Sequence, residues 1–219
     1  MENISDAVYK LFPLETLEQV KELISEDKNL CGLNVTIPYK IPVIELLDEV
    51  DEAAKKIGAV NCIKIRDQKL SGFNTDYSAF LESVTPFINP KNSKALILGN
   101  GGSAYAVAEA FNHLGIPFTK ITRNLSNNEC KLFSELNEEM IQNNNIIVNA
   151  TQLGMFPHTE LFPPIPYQFI ADKHLLFDLV YNPAETSFMR KGKARGATVV
   201  NGLDMLYKQA EKSWQIWNS

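Results

Sequence analysis

A glycine-rich run in the middle of the chain has the residue types that bind a dinucleotide. It consists of Gly99, Asn100, Gly101, Gly102, Ser103 and Ala104. In this G-x-G-x-x-A pattern the first glycine allows a tight turn, the second lets a pyrophosphate approach the backbone, and the last small residue lets a helix pack closely on its strand. The phosphates then meet the positive end of that helix. A glycine-rich turn is often only a turn, but this one joins a predicted strand to a predicted helix, which favours a nucleotide site.

The end of the next predicted strand indicates which nicotinamide cofactor is used. Sites for NAD usually carry an acidic residue at about this point, and it binds the ribose 2′-hydroxyl. This chain has Thr122, Arg123 and Asn124 instead. A guanidinium suits a 2′-phosphate, although a solvated surface arginine is the alternative for Arg123 taken alone. The sequence predicts NADP(H) as the cofactor, with Thr122 and Arg123 beside it, and use of NAD stays open.

The composition excludes several classes of protein. The chain has 219 residues, enough for one large domain or two small ones, and 45% of them are hydrophobic. The formal net charge of -5 lacks the basic excess of a generic nucleic-acid binder. No run of about 18 apolar residues is present, so no membrane-spanning helix is predicted.

Cysteine and histidine usage points to a metal-free protein of a reducing compartment. The three cysteines are odd in number and show no C-x-x-C spacing, and the first ten residues contain no apolar signal sequence. We therefore expect a cytoplasmic protein. The histidines have no ligand spacing, so we expect no metal site and surface or helix-end positions for all of them: His113, His158 and His174.

Strand and helix patterns alternate along the chain. Strands are predicted at 8–14, 30–35, 59–65, 70–73, 95–98, 118–122, 146–148, 175–180 and 197–200. Helices are predicted after a Thr16 cap, at 41–47 and on through 49–56, at 76–84, from the glycine run to 114, and at 129–142, 186–195 and 203–217. Strands separated by crossover helices predict a parallel, doubly wound sheet of five strands after residue 94. Residues 85–94, rich in proline and asparagine, are predicted to link two domains.

Six further segments accompany the glycine run in a fixed order. They are NVTIPYK (34–40), GAVN (58–61), NTD (74–76), NATQLGM (149–155), DLVYNPAET (178–186) and GLDMLYKQA (202–210). Together the seven segments resemble the shikimate dehydrogenase family from about residue 8 to residue 217. The resemblance implies an α/β fold with a Rossmann-like, doubly wound, parallel dinucleotide-binding domain and an α/β substrate-binding domain. We expect the substrate-binding domain at 1–87 plus 203–219 and the NADP-binding domain at 88–202.

The resemblance also implies an activity and a set of site residues. The implied reaction is the reversible, NADPH-dependent reduction of 3-dehydroshikimate to shikimate, a step toward chorismate and the aromatic amino acids. The implied catalytic pair is Lys40 and Asp76. The residues implied to bind the substrate are Thr36, Asn61, Tyr181 and Gln209. Those implied to lie beside the cofactor, besides the glycine run, are Asn149, Thr151, Met155, Gly202 and Met205.

The chemistry of carbonyl reduction agrees with those roles. An ammonium beside the carbonyl oxygen stabilises developing negative charge and can transfer a proton, and a carboxylate can orient that ammonium. Structural alternatives exist for each residue taken alone. Lys40 could be a surface lysine, Asp76 a helix cap, Gln209 a solvated side chain and Met205 a core residue.

Two features of the family are missing from this chain. Many members that use NADP have a second arginine a few residues after Arg123, where this chain has Asn127. Family members carry an S-x-S segment whose hydroxyls bind the substrate carboxylate, and this sequence has no Ser-x-Ser. We expect that the first βα unit is absent through a late start assignment, a fragment or a natural truncation, and that shikimate binds weakly while NADPH affinity is kept. Quinate/shikimate dehydrogenase activity with NAD, or a non-catalytic relative that binds shikimate-type metabolites, are the alternatives. A monomer or homodimer is expected, with a small-molecule substrate and no nucleic-acid or membrane partner.

Overall fold

The computed structural model describes residues 7–124 and 130–219, and it separates Met1–Leu30 from Cys31–Ser219 as two units. The first unit contains helix α1 (Glu18–Glu26). Thr16 does not cap this helix as predicted, because the Gln19 side chain accepts hydrogen bonds from the N–H groups of Glu15 and Thr16. The strand predicted at 8–14 is also wrong, since these residues have no regular structure. An apolar segment becomes a strand only when a neighbouring strand supplies hydrogen bonds.

The second unit contains the remaining strands and α-helices of the described chain. In chain order they are β1 (Gly32–Asn34), β2 (Glu49–Val50), α2 (Glu52–Ile57), β3 (Cys62–Arg66), β4 (Lys69–Phe73), α3 (Thr75–Val84), β5 (Ala95–Leu98), α4 (Gly102–Leu114), β6 (Phe118–Thr122), β7 (Cys130–Leu132), α5 (Glu138–Asn143), β8 (Ile146–Asn149), β9 (Leu175–Asp178), α6 (Ser187–Lys193), β10 (Thr198–Val200) and α7 (Leu203–Trp217). Across residues 7–124 and 130–219, no helix is long and apolar enough to cross a membrane.

Six strands form a parallel sheet in the order β10-β9-β8-β5-β6-β7. Every side chain of the central strand β5 is buried, because helices cover both faces of the sheet. Ala95 and Ile97 belong to the core on one face, whereas Leu96 and Leu98 belong to the core on the other. The predicted doubly wound, parallel architecture is confirmed.

Helices α3, α4 and α7 cover one face of this sheet. They bring Phe80, Phe111 and Met205 onto the β9 residue Phe177, and the rings of Phe80 and Phe177 meet edge to face with centroids 5.1 Å apart. The opposite face packs against α5 and α6 through Phe188 and other apolar residues. Since α3 and α7 flank the sheet that follows residue 94, residues from both ends of this unit share one core.

Four strands form a second, mixed sheet in the order β1-β3-β4-β2. β3 and β4 are an antiparallel hairpin whose turn residues, Asp67 and Gln68, both have positive φ, as the favoured two-residue hairpin turn requires. The last helix returns to this sheet, where the Trp217 indole N–H donates to the Ile63 carbonyl oxygen at 3.0 Å. The indole lies directly on Gly32, where a Cβ atom would come within 2.2 Å of the ring.

Three predicted helices differ from the structure. Residues 42–46 form a 3-10 helix rather than an α-helix, with Pro42 in its first turn. Glu49 and Val50 pair with β4, and the helix begins only after Asp51, whose side chain caps it by accepting from the Ala53 N–H. The helix predicted from Glu129, a residue outside the described part, begins instead at Glu138. Residues 130–132 form a sixth parallel strand, beyond the five predicted.

Candidate active site

A lysine and an aspartate from separate segments meet in a largely enclosed position. The Lys40 Nζ lies 2.6 Å from Asp76 Oδ2, and the two side chains are only 14% and 8% exposed. The Lys40 carbonyl oxygen accepts from the Val60 N–H at 2.7 Å, which ties the turn carrying the lysine to the segment before β3. The short, charge-assisted contact with Asp76 holds the Lys40 ammonium in one place.

The aspartate is placed by the first turn of α3. Asn74 is the cap of this helix and accepts from the Tyr77 N–H at 3.1 Å, so the carboxylate of Asp76 is not used for capping. The buried amide of Asn61 accepts from the Thr75 N–H at 2.7 Å and donates to the Thr75 hydroxyl at 3.0 Å. Asn61 therefore holds the start of the helix that carries Asp76, and its implied contact with a substrate hydroxyl stays a prediction.

The glycine run turns directly from β5 into α4. Gly99 has φ of +120°, a conformation that favours glycine, and a Cβ atom there would also come within 3.0 Å of the Ala150 carbonyl oxygen. A Cβ atom at Gly101 would meet no atom within 4 Å, so this backbone faces open space. Ala104 is completely buried, which lets α4 pack closely on the sheet. The open backbone at a helix N-terminus fits the phosphates of a dinucleotide.

The same run lies against the lysine. A Cβ atom at Gly102 would come within 2.8 Å of the Lys40 Cβ, so only glycine lets the lysine stem pass here. The Lys40 Nζ also donates to the Ser103 hydroxyl at 3.0 Å. The structure therefore brings the predicted catalytic pair and the predicted phosphate loop into direct contact.

The predicted NADP residues of β6 lie at its carboxyl end. β6 is the parallel neighbour of β5, so Thr122 ends, and Arg123 follows, the strand next to the one that leads into the glycine run. Arg123 is exposed, and the Thr122 hydroxyl donates to the Asn124 carbonyl oxygen at 3.1 Å. Asn127 lies outside the described residues. An exposed arginine at the carboxyl end of the strand next to β5 is available to a charged ligand.

A buried network links the loops after β8 and β9. Asn149 accepts from the Thr151 hydroxyl at 2.6 Å and donates to Asp178 Oδ1 at 2.9 Å. Asp178 also accepts from the Val180 N–H at 3.0 Å and from the Thr186 hydroxyl at 2.6 Å. Sequence reasoning assigned no role to Asp178 or Thr186, although an acidic residue closing the buried run LLFD was an available signal. The network fixes the loop that carries three predicted cofactor residues.

Burial makes Asp178 a proton-binding group in the weakly acidic range. The side chain is completely buried, and this burial raises the pKa of Asp178 to about 6, although its hydrogen bonds with Thr186, Val180 and Asn149 act in the opposite direction. The folded protein therefore holds this proton more tightly than the unfolded chain does.

Asp178→Asn is expected to change how stability depends on pH. The stabilisation from the raised pKa is complete below about pH 4 and is lost as the pH rises through about 6. The unfolding free energy of the wild type minus that of the variant should therefore fall by about 3 kcal/mol across this range and then level off. Urea denaturation followed by circular dichroism at a series of pH values measures this difference. A difference that is constant, or that rises with pH, would contradict the assignment.

The remaining predicted residues differ in exposure. Thr36, Tyr181 and Met155 are exposed, so their side chains can reach a ligand. Gln209 is half-buried, and its amide donates to the Leu206 carbonyl oxygen on the same helix at 3.0 Å. The structure does not bring Gln209 into hydrogen-bonding contact with Lys40 or Asp76. The Lys40 Nζ donates to Asp76 and to Ser103 instead.

Two residues that were predicted to lie next to the nicotinamide are found at the start of the last described helix. Gly202 precedes α7, its N–H donates to the Val180 carbonyl oxygen at 3.2 Å, and a Cβ atom there would come within 2.2 Å of the Leu179 carbonyl oxygen. Met205 is 7% exposed and packs in the core under the large sheet. Met205 is therefore a core residue, as its structural alternative proposed. Its contact with a cofactor stays a prediction.

One histidine expectation is wrong. His174 is buried. Its Nδ1 accepts from the Ala171 N–H at 3.0 Å, and its Nε2 lies 3.0 Å from the Ile141 carbonyl oxygen. A histidine whose two ring nitrogens both meet backbone groups can be buried without an unsatisfied polar atom. Within the described ranges, no group of three or more His, Cys, Asp or Glu could hold a metal ion.

Comparison with known proteins shows similarity to shikimate dehydrogenases over most of the sequence. Residues 2–63 match the family model of the shikimate dehydrogenase substrate binding domain. A relative named shikimate dehydrogenase (NADP(+)), from Methanosphaera stadtmanae, is 34% identical over 95% of this chain and 81% of its own length.

Solved structures agree in fold. The crystal structure of shikimate dehydrogenase from Aquifex aeolicus has a TM-score of 0.83 and 32% identity, over 94% of this chain and 79% of that one. A shikimate dehydrogenase crystallised in complex with NADP+ has a TM-score of 0.79 and 31% identity, over 95% and 77%.

Proposed function

The chain belongs to the shikimate dehydrogenase family, and from this we propose that it catalyses the reversible, NADP-dependent interconversion of 3-dehydroshikimate and shikimate. It is thus an oxidoreductase that acts on a CH–OH group. The observation that carries the proposal is the enclosed pair of Lys40 and Asp76 in contact with the phosphate loop.

The pair has the groups that carbonyl reduction needs. The hydride for the carbonyl carbon would come from NADPH when this cofactor is bound. The Lys40 ammonium has three N–H donors, of which two are used by Asp76 and Ser103, so one can point to the substrate oxygen. There it stabilises the developing negative charge, and the Lys40–Asp76 pair delivers the proton. In the oxidative direction the same pair takes up the hydroxyl proton.

The cofactor and substrate positions follow the predicted residues. The phosphates would bind at the glycine run and the N-terminus of α4, with the 2′-phosphate at Arg123. Asn149, Thr151, Met155, Gly202 and Met205 would line the nicotinamide side. Thr36, Asn61, Tyr181 and Gln209 would hold and cover the substrate ring. Support comes from the open backbone at Gly101, the exposed guanidinium and the exposed Thr36 and Tyr181 side chains.

The domain division, the cellular compartment and the oligomeric state are proposed together with the function. Residues 1–87 with 203–219 would form the substrate-binding domain and residues 88–202 the NADP-binding domain, and the two separate sheets of the second unit support this division. The odd number of cysteines, none in a C-x-x-C pair, favours the cytoplasm. A monomer or homodimer is proposed, which sedimentation analysis would measure.

NADP+ reduction with shikimate tests the activity directly. We expect NADPH formation with shikimate and NADP+, and slower formation with quinate. Faster turnover with quinate and NAD+ would indicate the quinate/shikimate activity instead. Binding of shikimate without any turnover would indicate a non-catalytic relative.

Arg123→Ala tests the cofactor preference. Loss of a charge-assisted contact to the 2′-phosphate should raise the KM for NADP+ by about tenfold or more, because such contacts contribute about 1.5–3 kcal/mol. The KM for NAD+, which lacks this phosphate, should change little. Steady-state kinetics with both cofactors separate the two effects, and an equal rise in both KM values would place the arginine away from the phosphate. Lys131→Ala, on the neighbouring strand β7, is a matched control.

A further inference from the structure

We propose that the Ser103 hydroxyl is a positioning residue that couples cofactor binding to the catalytic lysine. This inference rests on the proposed function and extends it, because it makes substrate and cofactor affinities depend on each other through one side chain. Ser103 was predicted only as part of the phosphate loop.

The first support is the position of the hydroxyl. Ser103 is the second residue of α4, immediately after Gly101, which faces open space, and Gly102, which lies against Lys40. Its Oγ accepts from the Lys40 Nζ at 3.0 Å, while the same nitrogen donates to Asp76 Oδ2 at 2.6 Å. Lys40 and Ser103 are 63 residues apart, so this contact joins the segment before the hairpin of the four-stranded sheet to the segment after β5 of the six-stranded sheet.

The second support is the chemistry of a hydroxyl at this position. A serine that accepts a hydrogen bond from an ammonium keeps its own proton for another acceptor. At a helix N-terminus after a glycine run, the acceptor that fits is a phosphate oxygen. A hydroxyl between an ammonium and a phosphate is polarised by both, and each contact strengthens the other.

The third support is the close packing of the loop on the lysine stem. Gly102, beside Ser103, has space for no Cβ atom because the Lys40 Cβ would lie only 2.8 Å away. Closely packed groups move together rather than independently. A phosphate that fixes the first turn of α4 therefore also fixes the direction of the Lys40 ammonium, which is the group that meets the substrate oxygen.

The test measures NADPH affinity by calorimetric titration, with and without a high concentration of shikimate, because the reduced cofactor and the reduced substrate cannot react with each other. Coupling is reciprocal, so the ratio of the two dissociation constants reports how each ligand affects the other. In the wild type we expect shikimate to tighten NADPH binding by about fivefold or more, the lower end of typical coupling. In Ser103→Ala this ratio should fall to within about twofold of one.

Two further variants separate coupling from a structural role. Ser103→Thr keeps the hydroxyl and should retain the wild-type ratio, which a merely structural effect of substitution would not predict. Ser78→Ala removes a helical serine hydroxyl that donates only to the Thr75 carbonyl oxygen, and it should leave the ratio unchanged. Thermal unfolding monitors the fold of each variant.

The outcomes distinguish this inference from the proposed function. A wild type without coupling, or a Ser103→Ala protein with the full wild-type ratio, overturns the inference even if the enzyme is active. A wild type that neither binds shikimate nor reduces NADP+ with it overturns the proposed function, and the inference with it.

Discussion

Lys40→Met is expected to lower turnover with shikimate by about 10²–10⁴-fold, the usual contribution of a positioned proton-transfer group. Methionine is similar in length to lysine and can fill the enclosed position, but it has no ammonium for the substrate oxygen. NADP+ affinity should fall by far less than turnover, since the phosphates are expected to keep their contacts with the glycine run and Arg123 and to lose only the strengthening of one Ser103 contact. Steady-state kinetics and calorimetric titration of NADP+ provide the two measurements.

An exposed lysine of the same unit is the matched control for this variant. Lys55 lies on α2 and pairs with the exposed Glu52, so Lys55→Met should keep wild-type turnover. Circular dichroism should verify that Lys40→Met is folded, because it leaves the carboxylate of Asp76 without its cation. A loss confined to NADP+ affinity, with turnover at saturation unchanged, would show that Lys40 is not at the reacting carbonyl.

Gly202→Ala is expected to lower the free energy of unfolding by about 3 kcal/mol, the cost of forcing extra volume into a packed site. The added Cβ would lie 2.2 Å from the Leu179 carbonyl oxygen and 2.7 Å from its carbonyl carbon. Both are backbone atoms, which cannot rotate away as a flexible side chain could. The start of α7 must therefore move, together with the Gly202 hydrogen bond to Val180. Urea denaturation measures the loss.

Gly101→Ala makes the same chemical change where there is space. Its φ of -99° suits any residue, and an added Cβ would meet no atom within 4 Å. We expect its unfolding free energy to stay within about 0.5 kcal/mol of the wild type. Equal stability of the two alanine variants would contradict the close approach at Gly202.

The sequence predicted the parallel sheet well because its signals are local. Buried apolar runs such as ALIL (95–98) end at glycines, and Gly115 ends α4 in the left-handed conformation that favours this residue. The bounds of β5, β6 and α7 were therefore correct. β7 was missed because three residues, Cys130–Leu132, become a strand only through pairing with β6.

The site could be predicted only in part. The pairing of Lys40 with Asp76 came from a resemblance, since nothing in a separation of 36 residues brings two side chains together. Their contact with Ser103 depends on how the turn before β3 packs on α4, which no local pattern encodes. The network around Asp178 was missed for a similar reason, because its partners lie on three different segments. The roles of the predicted ligand contacts stay predictions.

The contact between Trp217 and Ile63 spans 154 residues, and this has a consequence for biosynthesis. β3 leaves the ribosome long before α7 is translated, so the nascent four-stranded sheet stays without the indole that covers Gly32. The strands from β5 to β10 emerge in the interval and can pair with one another first. The sheet nearer the amino terminus therefore stays incomplete until α7 is translated, and the same helix then adds Met205 to the core of the parallel sheet.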